Sequence, residues 1–244
     1  MKLLILGGTG EARDLANTLV DRGHDVTTSL AGRTTEPNLP KGEIRIGGFG
    51  GKERLAAYLE DGRFERLVDA THPYATEISA SAIAAAKVAN VPLVRLVRPA
   101  WTAPSNAPWI NLVDAEHAAA SLPSGARALL TIGHQGLSAF FKRRDCFCVV
   151  RLIEPLAISA PANVKVVLAR PPFTLESEIK LMRGEDITHL ISKNSGGAQT
   201  EAKLGAAEAL GVRVVMIARP QLGVATEVAT IAEAIGALHL SGSG

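Results

Sequence analysis

Short apolar, β-branched runs alternate with alanine-rich helical segments along the whole of the 244-residue chain. This alternation is typical of strand–helix–strand units, in which parallel strands form a sheet and the connecting helices cover its faces. The predicted strands are residues 2–6, 25–30, 43–46, 66–70, 92–97, 110–113, 127–132, 146–152, 164–169, 187–192 and 213–218. The sequence therefore predicts an α/β protein built on parallel sheets.

The pattern is interrupted at residues 101–108, where the string Trp-Thr-Ala-Pro-Ser-Asn-Ala-Pro is rich in turn-forming residues. A connection there divides the chain into two expected domains, residues 1–100 and residues 101–244. The stretch 226–238 has the pattern of an amphipathic helix. This helix belongs to the second domain unless it returns to cover the first.

The glycine-rich string that follows the first predicted strand leads directly into a predicted helix at 11–22. Glycine allows a tight turn and a close approach to a diphosphate, and the N-terminus of a helix favours negative charge. Gly8 and Gly10 match the first two glycines of a dinucleotide-binding fingerprint, although Arg13 stands at the third position. The predicted cofactor-binding residues of this turn are Gly7, Gly8, Thr9, Gly10 and Glu11. The alternative is a purely structural turn.

The end of the second predicted strand indicates which dinucleotide binds. An NAD site usually carries an acidic residue there, but none occurs from residue 26 to residue 35. Arg33 and Thr34 stand in this segment instead and suit a phosphate monoester. NADPH is therefore predicted in preference to NADH, unless Arg33 is an ordinary solvated arginine.

A polar loop follows the fourth predicted strand, near the expected position of a nicotinamide ring. It contains Thr71, His72 and Tyr74, of which the histidine or the tyrosine could donate a proton. Thr71 is also predicted to contact the cofactor. The alternative is that Thr71 caps the next helix and that the two rings only pack.

A second polar loop lies late in the chain. Residues 67–99 can be laid over residues 188–220 without gaps, at an offset of 121 (188 minus 67), and both segments end in Arg-Pro. The overlay equates the Thr71 loop with an anion-binding turn that contains Lys193, Asn194, Ser195, Gly196 and Gly197. This turn could hold a substrate carboxylate or a second nucleotide phosphate. The similarity could also be one that any two strand–helix–strand units share.

Several classes of function are disfavoured. The formal net charge of +2 is too balanced for a nucleic-acid binder, and the apolar runs are far shorter than the roughly 20 residues that span a bilayer. The chain begins directly with a strand rather than a signal peptide, so a cytoplasmic protein with reduced cysteines is expected. No metal-binding motif, hydrolase elbow or Tyr-x-x-x-Lys dyad occurs in the sequence, and no metal is expected.

Taken together, four strings resemble the precorrin-6A/cobalt-precorrin-6A reductase family over nearly the full length of the chain. They are Gly-Gly-Thr-Gly-Glu-Ala-Arg at 7–13, Thr-His-Pro-Tyr-Ala at 71–75, Ser-Lys-Asn-Ser-Gly-Gly at 192–197 and Arg-Pro at 219–220. The resemblance implies NADPH-dependent reduction of one macrocycle double bond of precorrin-6A, a step of cobalamin biosynthesis. Hydride transfer requires the nicotinamide and the ring carbon to be held in near-contact, so two Rossmann-like domains with the active site in the cleft between them are expected.

A precorrin carries several ionised acetate and propionate arms, so its site should present cations and backbone donors at the rim. The rim candidates are Arg95, Arg98, Arg151, Lys193 and Arg219, of which Arg98, Lys193 and Arg219 are predicted to bind substrate. The proton that accompanies the hydride would come from His72, Tyr74 or water. A monomer is expected, although the sequence does not fix the oligomeric state.

Three other functions remain open at this point. One is a cobalt-precorrin-6A reductase that uses NADH. Another is a non-catalytic NADPH sensor, in which the second domain binds a protein partner. The third is an enzyme acting on nucleotide-linked sugars, in which the late loop holds a diphosphate.

Overall fold

The computed structural model of the chain describes residues 1–32, 38–105 and 109–240, and it divides into two compact units. The first unit consists of Met1–Pro99 together with Pro220–Gly244, and the second of Ala100–Arg219. The predicted limits, 1–100 and 101–244, are therefore wrong for the C-terminal segment. That segment belongs to the first unit.

The elements are named here in chain order. They are β1 (Lys2–Leu6), α1 (Gly10–Asp21), β2 (Asp25–Leu30), β3 (Glu43–Ile46), α2 (Lys52–Asp61), β4 (Arg66–Asp69), α3 (Thr76–Val88), β5 (Leu93–Leu96), β6 (Ile110–Leu112), α4 (Ala115–Ala120), β7 (Arg127–Thr131), α5 (Leu137–Phe141), β8 (Phe147–Leu152), β9 (Val164–Leu168), α6 (Leu175–Gly184), β10 (His189–Lys193), α7 (Ala202–Leu210), β11 (Arg213–Ile217), β12 (Thr226–Val228) and α8 (Ile231–Leu240). A single 3₁₀ turn, Ala198–Thr200, precedes α7.

The sheet of the first unit is parallel, with the order β3-β2-β1-β4-β5-β12. The chain moves outward from β1 to β3 and then returns to the other side of β1, so β1 and β4 flank the point where the order reverses. Loops diverge there at the carboxyl ends of the strands and leave a crevice for ligands. The strand β12 comes from the C-terminal segment and pairs with β5. This pairing explains why the segment belongs to the first unit, and it replaces the start of the helix predicted from residue 226.

Helices cover both faces of this sheet because successive side chains of a strand point to opposite sides. Leu3 and Ile5 of β1 are fully buried in a cluster with residues of α1 and α8. Leu4 and Leu6 of the same strand are buried in a second cluster with residues of α2 and α3. A strand that is apolar on both sides is expected in the middle of a doubly covered parallel sheet.

The sheet of the second unit is also parallel, with the order β9-β8-β7-β10-β11-β6. Its order reverses between β7 and β10, as the first sheet's does between β1 and β4. Residues of α6 and α7, among them Met182 and Ala206, pack on Leu129 and Leu190 of this sheet. The predicted fold class, two Rossmann-like α/β domains with parallel sheets, is confirmed.

The internal similarity predicted from the sequence falls on corresponding elements, because β4-α3-β5 and β10-α7-β11 occupy the same positions in the two sheets. The strand register corrects the gap-free overlay. The last residue of the central strand pairs with Asp69 in the first sheet and with Ser192 in the second. The overlay at an offset of 121 equated Asp69 with Leu190 and is therefore two residues out of register at this strand.

Some global features can be stated for the described part of the chain. None of its helices is both long and apolar enough to span a membrane. Within the same residues, no three histidine, cysteine or acidic side chains gather as metal ligands would. Cys146 and Cys148 are free and buried, and burial raises the pKa of the Cys148 thiol to about 11.

Candidate active site

The glycine turn after β1 depends on glycine at two positions for different reasons. A Cβ built on Gly7 would lie 2.9 Å from Cγ2 of Thr28, a contact that real side chains avoid. Gly8 has a φ of +113°, which side-chain-bearing residues rarely adopt, and nothing lies within 4 Å of a Cβ built there. The first glycine therefore allows close packing against β2. The second bends the chain beside open space.

Thr9 starts the helix that follows. Its side chain accepts a hydrogen bond from the N–H of Ala12 at 3.1 Å and donates one to the carbonyl of Ala70 at 2.8 Å. The threonine thus caps α1 and ties the glycine turn to the end of β4. The remaining free N–H groups at the start of this 12-residue helix suit an anion.

The third glycine of the dinucleotide fingerprint normally lets the helix approach the strand closely. Arg13 stands at that position, but its side chain pairs with the neighbouring Asp14 at 3.4 Å. Ala12 provides the close approach instead, since it is only 1% exposed and its Cβ would lie 3.7 Å from a Cβ on Gly7. The departure from the fingerprint therefore leaves the packing of the turn intact.

Arg98 lies beside the glycine turn, a position that the sequence did not predict. Its Nη1 donates to Oε2 of Glu11 at 2.8 Å, which links the end of β5 to the first turn of α1. A small depression is lined by Thr9, Glu11, Thr71, Pro73, Leu96 and Arg98. Arg98 was predicted to bind substrate, but within the first unit it lies among the residues predicted to bind the cofactor.

The loop after β4 is held by a buried carboxylate. Oδ1 of Asp69 accepts hydrogen bonds from the N–H of Thr71 at 3.1 Å and from its hydroxyl at 2.6 Å. The Thr71 hydroxyl also lies 3.3 Å from that of Ser79 in α3. The hydroxyl hydrogen of Thr71 goes to the carboxylate, so Ser79 is the donor of this second bond. The Thr71 loop is thus fixed at its base.

Arg95 of β5 binds the other oxygen of Asp69 through Nε at 3.1 Å, and its Nη1 binds Glu227 of β12. The arginine is only 4% exposed, so the prediction that it lies at the rim of a substrate site is wrong. The sequence prediction missed Asp69 and Glu227. A charged residue at the end of an apolar strand was the available signal for Asp69, whereas Glu227 gave none.

His72 and Tyr74 lie together on the Thr71 loop, with ring centroids 5.7 Å apart. The backbone N–H of Tyr74 donates to Nδ1 of His72 at 3.3 Å. Nδ1 is then an acceptor, so the proton of the neutral imidazole is on Nε2. Both side chains are partly exposed. The loop therefore presents an imidazole Nε2–H and a phenol at the carboxyl edge of the sheet.

Arg33 and Thr34, predicted to bind a phosphate of the cofactor, lie outside the described residues. Among the residues that the structure describes, Arg45 of β3 places a cation near the end of β2. Its guanidinium donates to the hydroxyl of Ser29 at 3.3 Å and to the carbonyl of Gly48 at 3.0 Å, and it stacks on Phe49 at 3.8 Å. Arg45 organises the loop that follows β3.

The late loop follows β10 in the second unit. The side-chain amide of Asn194 accepts from the N–H of Trp101 at 2.8 Å and donates to its carbonyl at 3.0 Å. Arg219 donates to the carbonyls of Asn194 at 2.7 Å and Ser195 at 3.0 Å. Asn194 and Arg219, both predicted to contact substrate, thus hold the loop in place. Gly196 and Gly197 complete it with φ values of +69° and +86°.

Lys193 ends β10 at the base of this loop. Burial lowers the pKa of its ammonium group below the usual value, because desolvation disfavours the charged form. Arg151, another rim candidate, is buried instead in an ion pair with Glu178 at 2.6 Å and stacks on Phe173. The prediction that Arg151 lies at the rim of a substrate site is therefore wrong.

A cavity of about 640 Å³ lies elsewhere in the second unit. It is lined by Trp101, Trp109 and residues of α7, and it extends to the amino end of β11 at Arg213. Ligands of parallel sheets bind at the carboxyl ends of strands. This cavity does not include the Lys193–Gly197 loop, and we do not assign the chemistry to it.

Known proteins share the sequence and the fold of this chain over nearly its full length. Residues 2–239 match the model of the family described as precorrin-6x reductase CbiJ/CobK. A precorrin-6A reductase from Rhodococcus erythropolis is 45% identical over 99% of this chain and 98% of its own length. A solved structure described as CobK precorrin-6A reductase superposes with a TM-score of 0.94 at 40% identity, covering 100% of this chain and 98% of that one. A cobalt-precorrin-6A reductase from Priestia megaterium is more distant, at 28% identity over 97% of each chain.

Proposed function

The chain belongs to the precorrin-6x reductase family, and from this premise we propose that it reduces one macrocycle double bond of precorrin-6A to give precorrin-6B, with NADPH as the hydride donor. The observation that carries the proposal is the family match over residues 2–239, which includes all three loops described above. Identity to the precorrin-6A reductase, at 45%, also exceeds the 28% to the cobalt-precorrin-6A reductase. This difference favours the metal-free substrate.

The glycine turn fits the diphosphate of a dinucleotide. The space beside Gly8 is open, and the first turn of α1 supplies N–H donors. Arg98 balances the charge of Glu11 and adds a cation close to Thr9. Arg33 and Thr34 are proposed to bind the extra phosphate of NADPH, and Thr71 to contact the cofactor near its nicotinamide end.

Bound NADPH would supply the hydride. The substrate then needs a proton at the adjacent carbon, and we assign its supply or relay to His72 or Tyr74. Nε2 of His72 carries the available imidazole proton, since Nδ1 accepts from the backbone of Tyr74. The Asp69 carboxylate fixes the base of this loop and so limits the positions that the two side chains can adopt.

The acetate and propionate arms of the substrate are assigned to the late loop, Lys193, Asn194, Ser195, Gly196 and Gly197, together with Arg219 and Arg98. Lys193 is the cation of this loop, and pairing with a carboxylate would offset the effect of burial on its ammonium group. Asn194 and Arg219 contribute by holding the backbone of the loop. The N–H groups of Asn194 and Ser195 donate to backbone carbonyls, so those of Gly196 and Gly197 are the ones proposed to face a ligand.

The test is an anaerobic assay of the purified protein with precorrin-6A and with cobalt-precorrin-6A, each offered NADPH or NADH. We expect oxidation of NADPH coupled to formation of precorrin-6B, with lower kcat/KM for the three other combinations. Preferred turnover of the cobalt substrate with NADH would instead support a cobalt-precorrin-6A reductase. NADPH binding without turnover of either macrocycle would support a sensor.

A further inference from the structure

A row of charged side chains crosses three neighbouring strands at the carboxyl edge of the first sheet. Asp69 of β4 pairs in register with Arg95 of β5, which pairs in register with Glu227 of β12. The arginine binds one carboxylate through Nε and the other through Nη1. Glu227 reaches this row only because the C-terminal segment returns to the first unit.

The row is buried at its inner end and exposed at its outer end. The side chains of Asp69 and Arg95 are 1% and 5% exposed, whereas that of Glu227 is 53% exposed. Removing charges from water is unfavourable, and an apolar pair at such a position is often equally stable or more stable. Stability of the sheet alone does not explain why charges stand here.

The second sheet provides an internal comparison. Five of its six strands follow the same order, and only the edge strand differs, since β6 precedes the others in the chain whereas β12 follows them. The row that starts at the last residue of its central strand continues through Ser192, Met216 and Asn111. Ser192 and Met216 are fully buried. A six-stranded parallel sheet therefore forms in the same chain without an ion row at that position. We therefore look for the role of the charges in the first sheet among the features of its own carboxyl edge.

That edge carries the Thr71 loop. Asp69 uses one oxygen for the N–H and hydroxyl of Thr71 and the other for Arg95. Hydrogen bonds to ionised groups are stronger and more directional than neutral ones. The guanidinium orientation, set by Glu227 on one side, therefore determines the orientation of the Asp69 carboxylate on the other.

We propose that Glu227, Arg95 and Asp69 are positioning residues for the Thr71 loop, so that a carboxylate supplied by the C-terminal strand sets the placement of His72 and Tyr74. The expected effect on turnover rests on the proposed function. The structural link between Glu227 and Thr71 does not depend on it. None of the three residues contacts the substrate in this assignment. They act through the loop.

The variant Glu227→Gln tests the link, with Glu233→Gln as the matched control. Glu233 lies in the same segment, but it caps the backbone at Ala229 and is not part of the row. A misplacement of about 1 Å at a reacting group can cost about 100-fold in rate, so we expect a fall in kcat of about 10-fold or more for Glu227→Gln. KM for NADPH should change less than kcat, since the glycine turn that is proposed to bind the diphosphate is not altered and only the contact of Thr71 with the cofactor would move. Glu227→Asp should restore part of kcat.

A second readout does not depend on activity. The amide proton of Thr71 donates to an ionised carboxylate, and its resonance in threonine-labelled protein, assigned by its absence in Thr71→Val, should move in Glu227→Gln and stay in Glu233→Gln. If Glu227→Gln does not fold, Arg95→Lys gives the same two readouts, because lysine keeps the charge but loses the planar fork. Unchanged kcat together with an unmoved Thr71 resonance would overturn the inference. Absence of reductase activity in the unaltered protein would overturn the proposed function alone, while the resonance would still decide the link.

Discussion

Arg98 donates to Glu11 at 2.8 Å and so joins the end of β5 to the first turn of α1. A carboxylate at this position would repel the diphosphate that the same helix N-terminus attracts, unless a cation balances it. The pair is partly exposed, with side chains 19% and 34% accessible, so bound phosphate can compete for the arginine. The pair thus links the charge state of the glycine turn to cofactor binding.

Replacing Glu11 and replacing Arg98 should change the affinity for the cofactor in opposite directions. Glu11→Gln removes a like charge and frees Arg98, so NADPH should bind more tightly. Arg98→Ala should weaken NADPH binding by about 10-fold or more, because charge-assisted hydrogen bonds contribute about 1.5–3 kcal/mol. Titration calorimetry at two salt concentrations measures both effects, and Arg22→Ala at the opposite end of α1 is the control. A raised KM for precorrin-6A with unchanged NADPH affinity would instead support the substrate role predicted for Arg98.

Gly7 should be intolerant of even a methyl group. The added Cβ of Gly7→Ala would lie 2.9 Å from Cγ2 of Thr28, and overpacking of this kind costs about 1–3 kcal/mol. Thr28→Ser removes the opposing methyl group, so the double variant should recover part of the lost free energy of unfolding in urea. Gly48→Ala is the control, because nothing lies within 4 Å of its Cβ and its φ is not positive. Equal losses in the single and double variants would place the strain elsewhere.

The parts of this architecture that sequence predicts are those encoded locally. Short runs rich in apolar or β-branched residues predict β1, β2 and β3, and the bounds of these strands match the predicted limits residue for residue. The glycine turn and the two polar loops are also encoded locally, so the sequence predicts them. Each is a short string whose chemistry follows directly after a strand.

The missed features depend on contacts between residues far apart in the chain. The three residues of β12 are too few to show a strand pattern, and they pair with β5 across a separation of 132 residues at Glu227. The sequence predicts Arg95 as a rim cation because it lies near a strand end, but in the fold it is buried and binds Asp69 and Glu227. Sequence shows where a charge stands. Only the fold shows what neutralises it.

His72 and Tyr74 are distinguished by turnover. If Nε2 of His72 supplies the proton, His72→Ala should lower kcat by about 100-fold, the lower end of the range for general acid catalysis. Tyr74→Phe keeps the backbone N–H that orients the imidazole and should then have a small effect. The reverse pattern would identify the phenol as the donor. Unchanged rates in both variants, measured at saturating NADPH, would leave water as the source.

Asn194 should matter for the stability of the second unit as well as for substrate binding. Asn194→Ala breaks both hydrogen bonds to the backbone of Trp101, at a cost of about 1–3 kcal/mol for groups left unsatisfied. Asn194→Asp keeps the acceptor but places an oxygen against the carbonyl of Trp101, so it should be at least as destabilising. Gln135→Ala, an exposed amide of the same unit, is the control for urea unfolding. A stable Asn194→Ala variant with a raised KM for precorrin-6A would show that the amide contacts substrate directly.

His189 should make the protein less stable in acid. Burial, with a smaller contribution from the charge of Arg213, lowers the pKa of this imidazole below its usual 6.5. Between that value and the lower folded pKa, the unfolded chain binds a proton that the folded chain does not. The contribution of His189 is therefore fully present above pH 6.5 and is lost as the pH falls through the folded pKa.

His189→Gln removes this titration, so its free energy of unfolding should fall less steeply below pH 6.5 than that of the unaltered protein. The lost contact with the Thr188 hydroxyl shifts the curve by a constant and leaves the slope unaffected. Gln135→Ala, which changes a side chain that does not titrate at an exposed loop position, should keep the original slope. Parallel curves for the unaltered protein and His189→Gln would show that another group governs the acid sensitivity.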